Sequence, residues 1–433
     1  LSNAEALVSR FQSMDERMSQ MREGVNTQIT SSVVEINSFA NEIAQINQQI
    51  ILAEGVSGGE PPNDLLDQRD DLINQLSKLI NTDTVKQSDG SVNVYVGNGH
   101  AIVVGSQKLS LETIVSPDNP DNLTLGLVSA NQTIQLPEDQ ITGGALGGIL
   151  AFRRDSLDGA QNALGRVAMT LAQTFNEQHQ LGVDLNGDMG KELFTVSSPK
   201  IISASTNNAA SNITASISDF GALTTSDYQF SYDGTNYTLT NLSDNSSVST
   251  AVIPSGATPL TLDGLSVTGA TILPNERFLI QPTVNGAKGI AVNITDTTEI
   301  AAAGPNRTGA ASTNKGTGTI SAGTVNSLPL DPNLQQPLTI TFHAPYDGQY
   351  DVTGTGTGLP ATNQVYTADT DISFNGYTFQ ISGQPAAGDV FTIEPNSNGS
   401  SDNRNALLLG ALQTKSTMEN GTATYQATYA QLV

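Results

Sequence analysis

Few residues in this chain could carry out chemistry. It has no cysteine, which removes disulfides, zinc–thiolate sites and a thiol nucleophile. Its three histidines, His100, His179 and His343, are scattered and too few for most histidine-based metal catalysis. His179 closes Glu177-Gln178-His179 but lacks the second histidine of a zinc-protease helix. It is expected as a C-terminal helix residue near the negative end of the dipole. His343 alternates within an expected strand and has no partner in sequence. Asp184, Asn186 and Asp188 set oxygen ligands at alternate positions, as a calcium loop opens. Met189 then stands where such a loop needs glycine, and Thr195 where it needs a bidentate glutamate, so a polar turn is expected. Asp67, Asp70 and Asp71 gather around Arg69 on one helix and read as an exposed or interface charge pair. Gly143-Gly144 and Gly147-Gly148 lead to no Gly-Lys-Ser/Thr, so they are expected to let a helix start pack closely rather than to cradle phosphate. No G-x-S-x-G nucleophile motif occurs. The expectation is no catalytic, cofactor-binding or metal residue, no cofactor and no enzyme.

Composition narrows the class further. Acids number 42 against 18 bases, a net charge of −24, which repels phosphate backbones and argues against nucleic acid as partner. No apolar run reaches the ~18 residues of a membrane span, so no membrane insertion is expected. The start, Leu1-Ser2-Asn3-Ala4-Glu5, has neither the basic region nor the apolar region of a signal peptide. With 433 residues, about three domains are expected at ~150 residues each.

Two textures alternate along the chain. Residues 1–83 and 144–182 carry helical periodicity, and 401–433 are helical again, whereas 84–136 and 196–400 are rich in Thr, Ser, Gly and Asn with short alternating apolar runs. Leu7, Phe11, Met14, Met18, Met21 and Val25 form a heptad seam, which places the methionines in helix packing. The seam steps by four twice, through Ile29 and Val33, a stutter, and resumes as Ile36, Ala40, Ile43, Asn47, Ile50. Phe39 and Ile46 widen the stripe toward more than one partner helix. Asn47 on that seam either fixes register or is a solvated helix end. A loop over Gly55–Asn63, with Gly58-Gly59 and Pro61-Pro62, precedes a helix over about Leu65–Ile80 capped by Asn63 or Asp64. Val92, Val94 and Val96, the turn Asn98-Gly99, then Ile102 and Val104 read as a hairpin. Strands are expected at 109–115, 123–128 and 132–136. Leu146, Leu150, Leu157, Leu164, Ala168, Leu171 and Phe175 define one helix from about Ala145 to Gln180, with Gly182 as C-cap. Ser401-Asp402-Asn403 is a capping cluster, and Tyr425, Tyr429, Leu432 and Val433 share a face.

The β-rich middle repeats itself. Gly264 matches Gly376, Phe278 matches Phe391, and Pro282 matches Pro395; upstream, Phe230–Asp233-Gly234–Tyr237 echoes Phe342–Asp347-Gly348–Tyr350. Tandem copies of one β-module are expected. The expected fold is α+β and multidomain: a discontinuous helical rod (1–195 and 401–433) with a β insertion at about 84–136, a first β-rich, sandwich- or barrel-like domain (196–303), and a second (304–400) inserted as a repeat of the first.

Four stretches together resemble the flagellar hook-associated protein 1 (FlgK) family. They are Asn63-Asp64-Leu65-Leu66-Asp67-Gln68-Arg69-Asp70 with Leu72; Gly144-Ala145-Leu146-Gly147-Gly148-Ile149-Leu150-Ala151-Phe152-Arg153; Leu164 through Phe175-Asn176-Glu177-Gln178-His179; and Ser401-Asp402-Asn403-Arg404-Asn405-Ala406 leading to Leu412. The likeness covers 1–195 and 401–433, and 228–303 loosely; 304–399 resembles an insertion before the Ser-Asp-Asn-Arg-Asn motif. It implies a structural subunit of the bacterial flagellum, exported without a cleaved signal peptide, lying outside the cell and serving flagellum assembly and motility at the hook–filament junction. It implies contacts with copies of itself, hook protein, the second junction protein or filament subunits, and with an export chaperone through a C-terminal segment not in this chain. Both of the family's terminal segments are missing by this comparison, so a trimmed chain that is monomeric and elongated is expected. Flagellin or another hook-associated protein, and a surface adhesin carried on the outer β-domains, are the alternative readings.

Overall fold

The computed structural model describes residues 1–56, 62–129, 132–397, 399 and 401–431. Gly58, Gly59 and Pro61 of the expected loop, and Leu432 and Val433 of the expected last turn, lie outside the described residues. Helix α1 (Ser2–Val56) is 55 residues long, about 80 Å at ~1.5 Å per residue. Its seam feeds two separate cores. Val8 and Phe11, with Met14 and Met18 beside them, pack with Leu164, Val167, Ala168 and Ala172. Val25, Ile29, Val33, Ile36, Ala40 and Ile43 pack with Leu76, Ile80 and the hairpin valines. The stutter through Ile29 and Val33 falls where the second core begins. Met21 departs from the seam and is exposed.

Helix α2 (Asn63–Leu79) is capped by backbone rather than side chain: Pro62 is the N-cap, and its carbonyl accepts from Leu65 and Leu66 N–H. Neither Asn63 nor Asp64 caps it. A four-stranded sheet follows, β1 (Thr82–Lys86), β2 (Val92–Val96), β3 (His100–Val104) and β4 (Gln107–Lys108), paired in that order. The hairpin forms as expected, with one correction. A bulge after Val94 shifts register, so Ile102 and Val103 are both buried and Val104 is exposed. Strands β5 (Ser110–Val115), β6 (Leu123–Ser129) and β7 (Gln132–Gln135) make a three-stranded sheet. The expected third helix is α3 (Gly144–Phe152) and α4 (Asp158–Gln180) joined by a π turn over Arg153–Leu157. Arg153 and Leu157 of this turn are both buried.

The first β-module comprises β8 (Lys200–Ser203), β9 (Asn212–Ile217), β10 (Tyr228–Tyr232), β11 (Tyr237–Asn241), β12 (Ser247–Thr250), β13 (Leu260–Leu262), β14 (Leu265–Thr271) and β15 (Glu276–Gln281). After it, α5 (Gly286–Gly289) returns to the helices: Ala287 and Ile290 belong to the core around Phe11 and Leu164. The expected span of the first β-domain ran to 303, whereas its strands end at Gln281. The second module comprises β16 (Asn306–Ala310), β17 (Thr319–Ile320), β18 (Thr324–Val325), β19 (Leu338–Phe342), β20 (Gln349–Gly354), β21 (Ala361–Val365), β22 (Asp371–Phe374), β23 (Tyr377–Ser382) and β24 (Val390–Pro395).

The two modules share the order of their main sheets. One module orders its main sheet β12-β11-β10-β15-β8, the other β21-β20-β19-β24-β16. Asp263-Gly264 and Asn375-Gly376 take the same pair of positive φ angles (49° and 77°, 51° and 72°) in the turn before the matching strands. Phe278 and Phe391 are both buried. One expected match slips by two residues. Phe278 pairs with Phe230, and Phe391 pairs with Ile340, so Phe342 stands where Tyr232 does. Each module pairs two open sheets; among the described residues neither closes into a barrel.

The last stretch is less helical than expected. It holds α6 (Arg404–Ala411) and α7 (Tyr425–Ala430), separated by a turn in which Met418 bridges Ala423 and Glu419, Asn420 and Gly421 have positive φ.

Candidate assembly body and its fastenings

The charged and polar residues flagged in the sequence serve as fastenings. Asn47 is fully buried and is a hub. Its Nδ2 donates to the carbonyls of Val92 and Gly105, and its Oδ1 accepts from Val92 N–H. Arg69 is also buried, donating to Gly90 carbonyl at 2.8 Å and reaching Asn47 Oδ1 at 3.4 Å. Burial lowers the Arg69 pKa, while the nearby Asp70 and Glu54 charges oppose that shift. The expected exposed or interface charge pair is thus corrected. Arg69 ties α2 to the hairpin, and Asp70 lies out in solvent 3.9 Å from it.

Gly144 and Gly147 at the start of α3 pack closely as expected, whereas a Cβ on Gly148 would meet nothing within 4 Å. A Cβ on Gly144 would collide with the backbone of Leu79 and Ile80 at the end of α2. Arg153 at the end of this motif is buried, paired with Glu138 at 2.7 Å and donating to Leu123 carbonyl at 2.8 Å.

His179 is fully buried in the last turn of α4. Nδ1 lies 2.6 Å from Lys191 carbonyl, and Nε2 accepts from Ala301 N–H at 2.9 Å. A carbonyl at one nitrogen and an N–H at the other require the neutral Nδ1-protonated tautomer. Burial pushes its pKa down, with the Lys191 hydrogen bond and Asp184 opposing. The residue therefore sits at the helix C-terminus, as its position suggested, and serves there as a neutral tie. Asn405 donates to Ala301 carbonyl and accepts from Gln178 Nε2, both at 2.7 Å. Gly182 was expected as the C-cap; Leu181 is the C-cap, and a Cβ on Gly182 would run into Asn405 and Ala301.

Other contacts had no sequence signal beyond a lone glycine or asparagine. Asn176 makes paired bonds with the N–H and C=O of Phe194. A Cβ on Gly165 would strike Thr283 carbonyl, and one on Gly286 would strike Gly165 carbonyl, so α4 and α5 meet backbone to backbone.

The two β-modules are each held at a neck. Loop 116–122 reaches the first: Asp118 pairs with Arg277 at 2.7 Å, Asp121 with Lys200, and Asn122 accepts from Arg22 of α1. Arg22 also pairs with Asp158 at 2.7 Å and donates to Gln161. Asp227 accepts from Asn162 of α4 and Gln281; burial raises its pKa. At the second module, Asn396 donates to Gly304 carbonyl and to Asp402, and Arg404 donates to Asp402, Asn306 carbonyl and Ala322 carbonyl. Asp402 also accepts from Arg404 N–H, so the capping cluster doubles as the neck.

The remaining candidates stay apart. Asp184 accepts from the backbones of Asn186 and Asp188, the polar turn expected. His343 sits between Asp347 and Asp351, whose hydrogen bonds raise its pKa, Asp351 first. His100 contacts Gln140 at 3.5 Å. Among the described residues no three His, Asp or Glu side chains converge to hold a metal, and no helix is long and apolar enough to cross a membrane.

These fastenings coincide with the motifs of one family. The model of the flagellar hook-associated protein FlgK helical domain matches residues 1–194. That of the flagellar hook-associated protein 1 D2-like domain matches residues 202–282. Flagellar hook-associated protein 1 of Salmonella typhimurium is 36% identical over 306 residues, covering 70% of this chain and 55% of that protein. The Escherichia coli protein of the same name is 34% identical over 305 residues, with the same coverage. The chain spans about half the length of these curated relatives. The solved structure of the flagellar hook junction protein FlgK from Burkholderia pseudomallei aligns with all of this chain and 83% of its own, at 34% identity and a TM-score of 0.84. With four motifs in order, each spent on holding the same body together, and this likeness over the whole chain, the protein belongs to the FlgK family of flagellar hook-associated proteins.

Proposed function

We propose that this chain is the ordered body of a structural subunit that joins hook to filament in the bacterial flagellum. The likeness over its full length to the Burkholderia hook junction protein carries this reading. In it, the helical domain (1–195, 283–303 and 396–433) packs against copies of itself and against hook, second-junction or filament subunits. The β-modules (196–282 and 304–395) lie outside that packing. The subunit acts beyond the cell after export and has no catalytic role: the buried histidine, arginines and asparagines are committed to internal bonds. Terminal segments present in the longer relatives would supply chaperone binding and the drive to polymerise, leaving this chain monomeric at micromolar concentration.

Complementation tests this. In cells lacking their own hook-associated protein 1, this chain extended at both ends to its relatives' length is expected to restore filaments and swimming. The chain alone is expected not to. Failure of the extended chain, when expressed and exported, would overturn the reading.

A further inference from the structure

The first β-module is nearly devoid of positive charge. Over residues 200–282 the bases are Lys200 and Arg277, against the acids Asp219, Asp227, Asp233, Asp244, Asp263 and Glu276. Loop 116–122 of the helical domain has the reverse balance, with Asp118 and Asp121 and no base. The scarce charges match one to one: Arg277 pairs with Asp118 at 2.7 Å, and Lys200 pairs with Asp121. Both bases lie at one edge of the module's main sheet, where β15 pairs with the last strand, β8. Complementary charges of this kind fix the register of a contact more than its strength.

The loop is fastened to the helical body. Arg22 donates to Asn122, and Asn26 of α1 donates to Asp121 carbonyl and accepts from Leu123 N–H. Toward the module, the one further polar contact among the described residues is Ser205 N–H donating to Pro117 carbonyl at 3.1 Å. Between the loop, α1 and the base of the module lies a polar cleft of about 470 Å³, with Asp15, Ser19, Glu23, Asn119, Asn285 and Lys288 on its walls. The core of the module is made of its own residues. On this side the module is therefore strapped across a gap.

On α4 it is held differently. Asn162, Arg166 and Thr170 donate to the carbonyls of Thr225, Leu223 and Phe220, Asn420 N–H donates to Gly221 carbonyl, and Leu223 is buried. Such bonds into backbone are little affected by salt. The strap pairs are open to solvent: the side chains of Asp118 and Arg277 are 46% and 42% exposed, and those of Asp121 and Lys200 52% and 28%. Exposed pairs are individually weak and are screened by salt. The second module offers the contrast, since Asp402 is 12% exposed and Arg404 and Asn396 carry its neck into backbone carbonyls.

We propose that loop 116–122 is an ionic strap whose release lets the first module swing about its α4 contact and open the cleft, while the second module stays fixed. Rising ionic strength releases it. The strap is a property of the single chain, and whether the chain caps hooks has no bearing on it.

The absence of native cysteine lets dyes be placed at will. A Ser31→Cys/Ser249→Cys variant carries a donor–acceptor pair between α1 and β12, and Ser31→Cys/Thr362→Cys reports the second module in the same way. Time-resolved energy transfer gives the distance distribution of each. The first pair is expected to show a narrow distribution at low salt. That narrowness is lost at about 1 M salt, where the Debye length is about 3 Å. Asp118→Asn/Asp121→Asn is expected to lose it at low salt and to respond no further to salt. The second pair is expected to stay narrow throughout. Reversing both sides, with Asp118→Lys/Asp121→Lys joined to Lys200→Glu/Arg277→Glu, restores the narrow distribution if the charges act as a strap; the same four changes do not repair a misfolded loop. A first pair as narrow without the strap acids as with them, one already broad in the parent at low salt, or equal broadening of both modules would overturn the proposal.

Discussion

His179 and Asn405 grip the two sides of one residue: Ala301 donates its N–H to the imidazole and its carbonyl accepts from the amide. Helix α4, the returning segment and α6 meet there. Three parts of the chain separated by more than a hundred residues each become one body.

Removing one jaw exposes the cost. Asn405→Ala leaves Ala301 carbonyl and Gln178 amide without their partner. A loss of about 1–3 kcal/mol is expected, the range for a buried polar group left unpaired. Urea unfolding followed by far-UV circular dichroism measures it. A change within experimental error would mean the clamp is incidental.

His179 and His343 should respond to pH with opposite signs. His179 has a folded pKa below 6.5, so the unfolded chain binds the extra proton, and its neutral tie loses value as pH falls through about 6.5. His343 has a folded pKa above 6.5. Its pairing stabilises fully below that unfolded value and is lost as pH rises through the raised folded one. Accordingly, the destabilisation by His179→Gln should shrink on acidification, while that by His343→Gln should shrink on the alkaline side. Melting temperatures of both variants across pH 5–8 report this; parallel profiles would refute the assignments.

Arg69 and Asp70 are neighbours with unequal roles. Arg69→Met should cost about 1.5–3 kcal/mol, the range for a hydrogen bond from a charged group, since Gly90 carbonyl and Asn47 lose their donor. Asp70→Asn should stay within about 0.5 kcal/mol, as exposed substitutions do. Equal effects in denaturant titrations would return the pair to the surface role its sequence suggested.

The second module should be removable. Asn396 N–H donates to Pro305 carbonyl at 2.8 Å, so the incoming and outgoing strands lie side by side. Replacing residues 306–395 by about three glycines is expected to leave the other domains folded, with their melting shifted by no more than about 5 °C. Loss of the helical signal would show that the module is integral.

What the sequence revealed was local. The α1 stripe, the hairpin valines and the repeated turn-strand pairs are periodicities within a few residues, set by which face each side chain takes. Arg69 was misjudged, and Asn47 was left with two readings, because their partners lie across the fold. Neighbours in sequence made Arg69 look like half of a surface pair, although Gly90, 21 residues away, holds it inside. His179 and Gly182 look like an ordinary helix end until Ala301 arrives from 122 residues beyond His179 and Asn405 from 227 beyond Gln178. The match of Phe342 to Phe230 failed because both are aromatic, whereas strand register equates Phe342 with Tyr232.

The central claim is most directly tested on purified hooks lacking junction proteins. The chain extended to its relatives' length, and this chain as control, are added and the distal ends viewed by electron microscopy. The account predicts a cap of subunits from the extended chain only. Bare hook ends with the folded extended chain would contradict it.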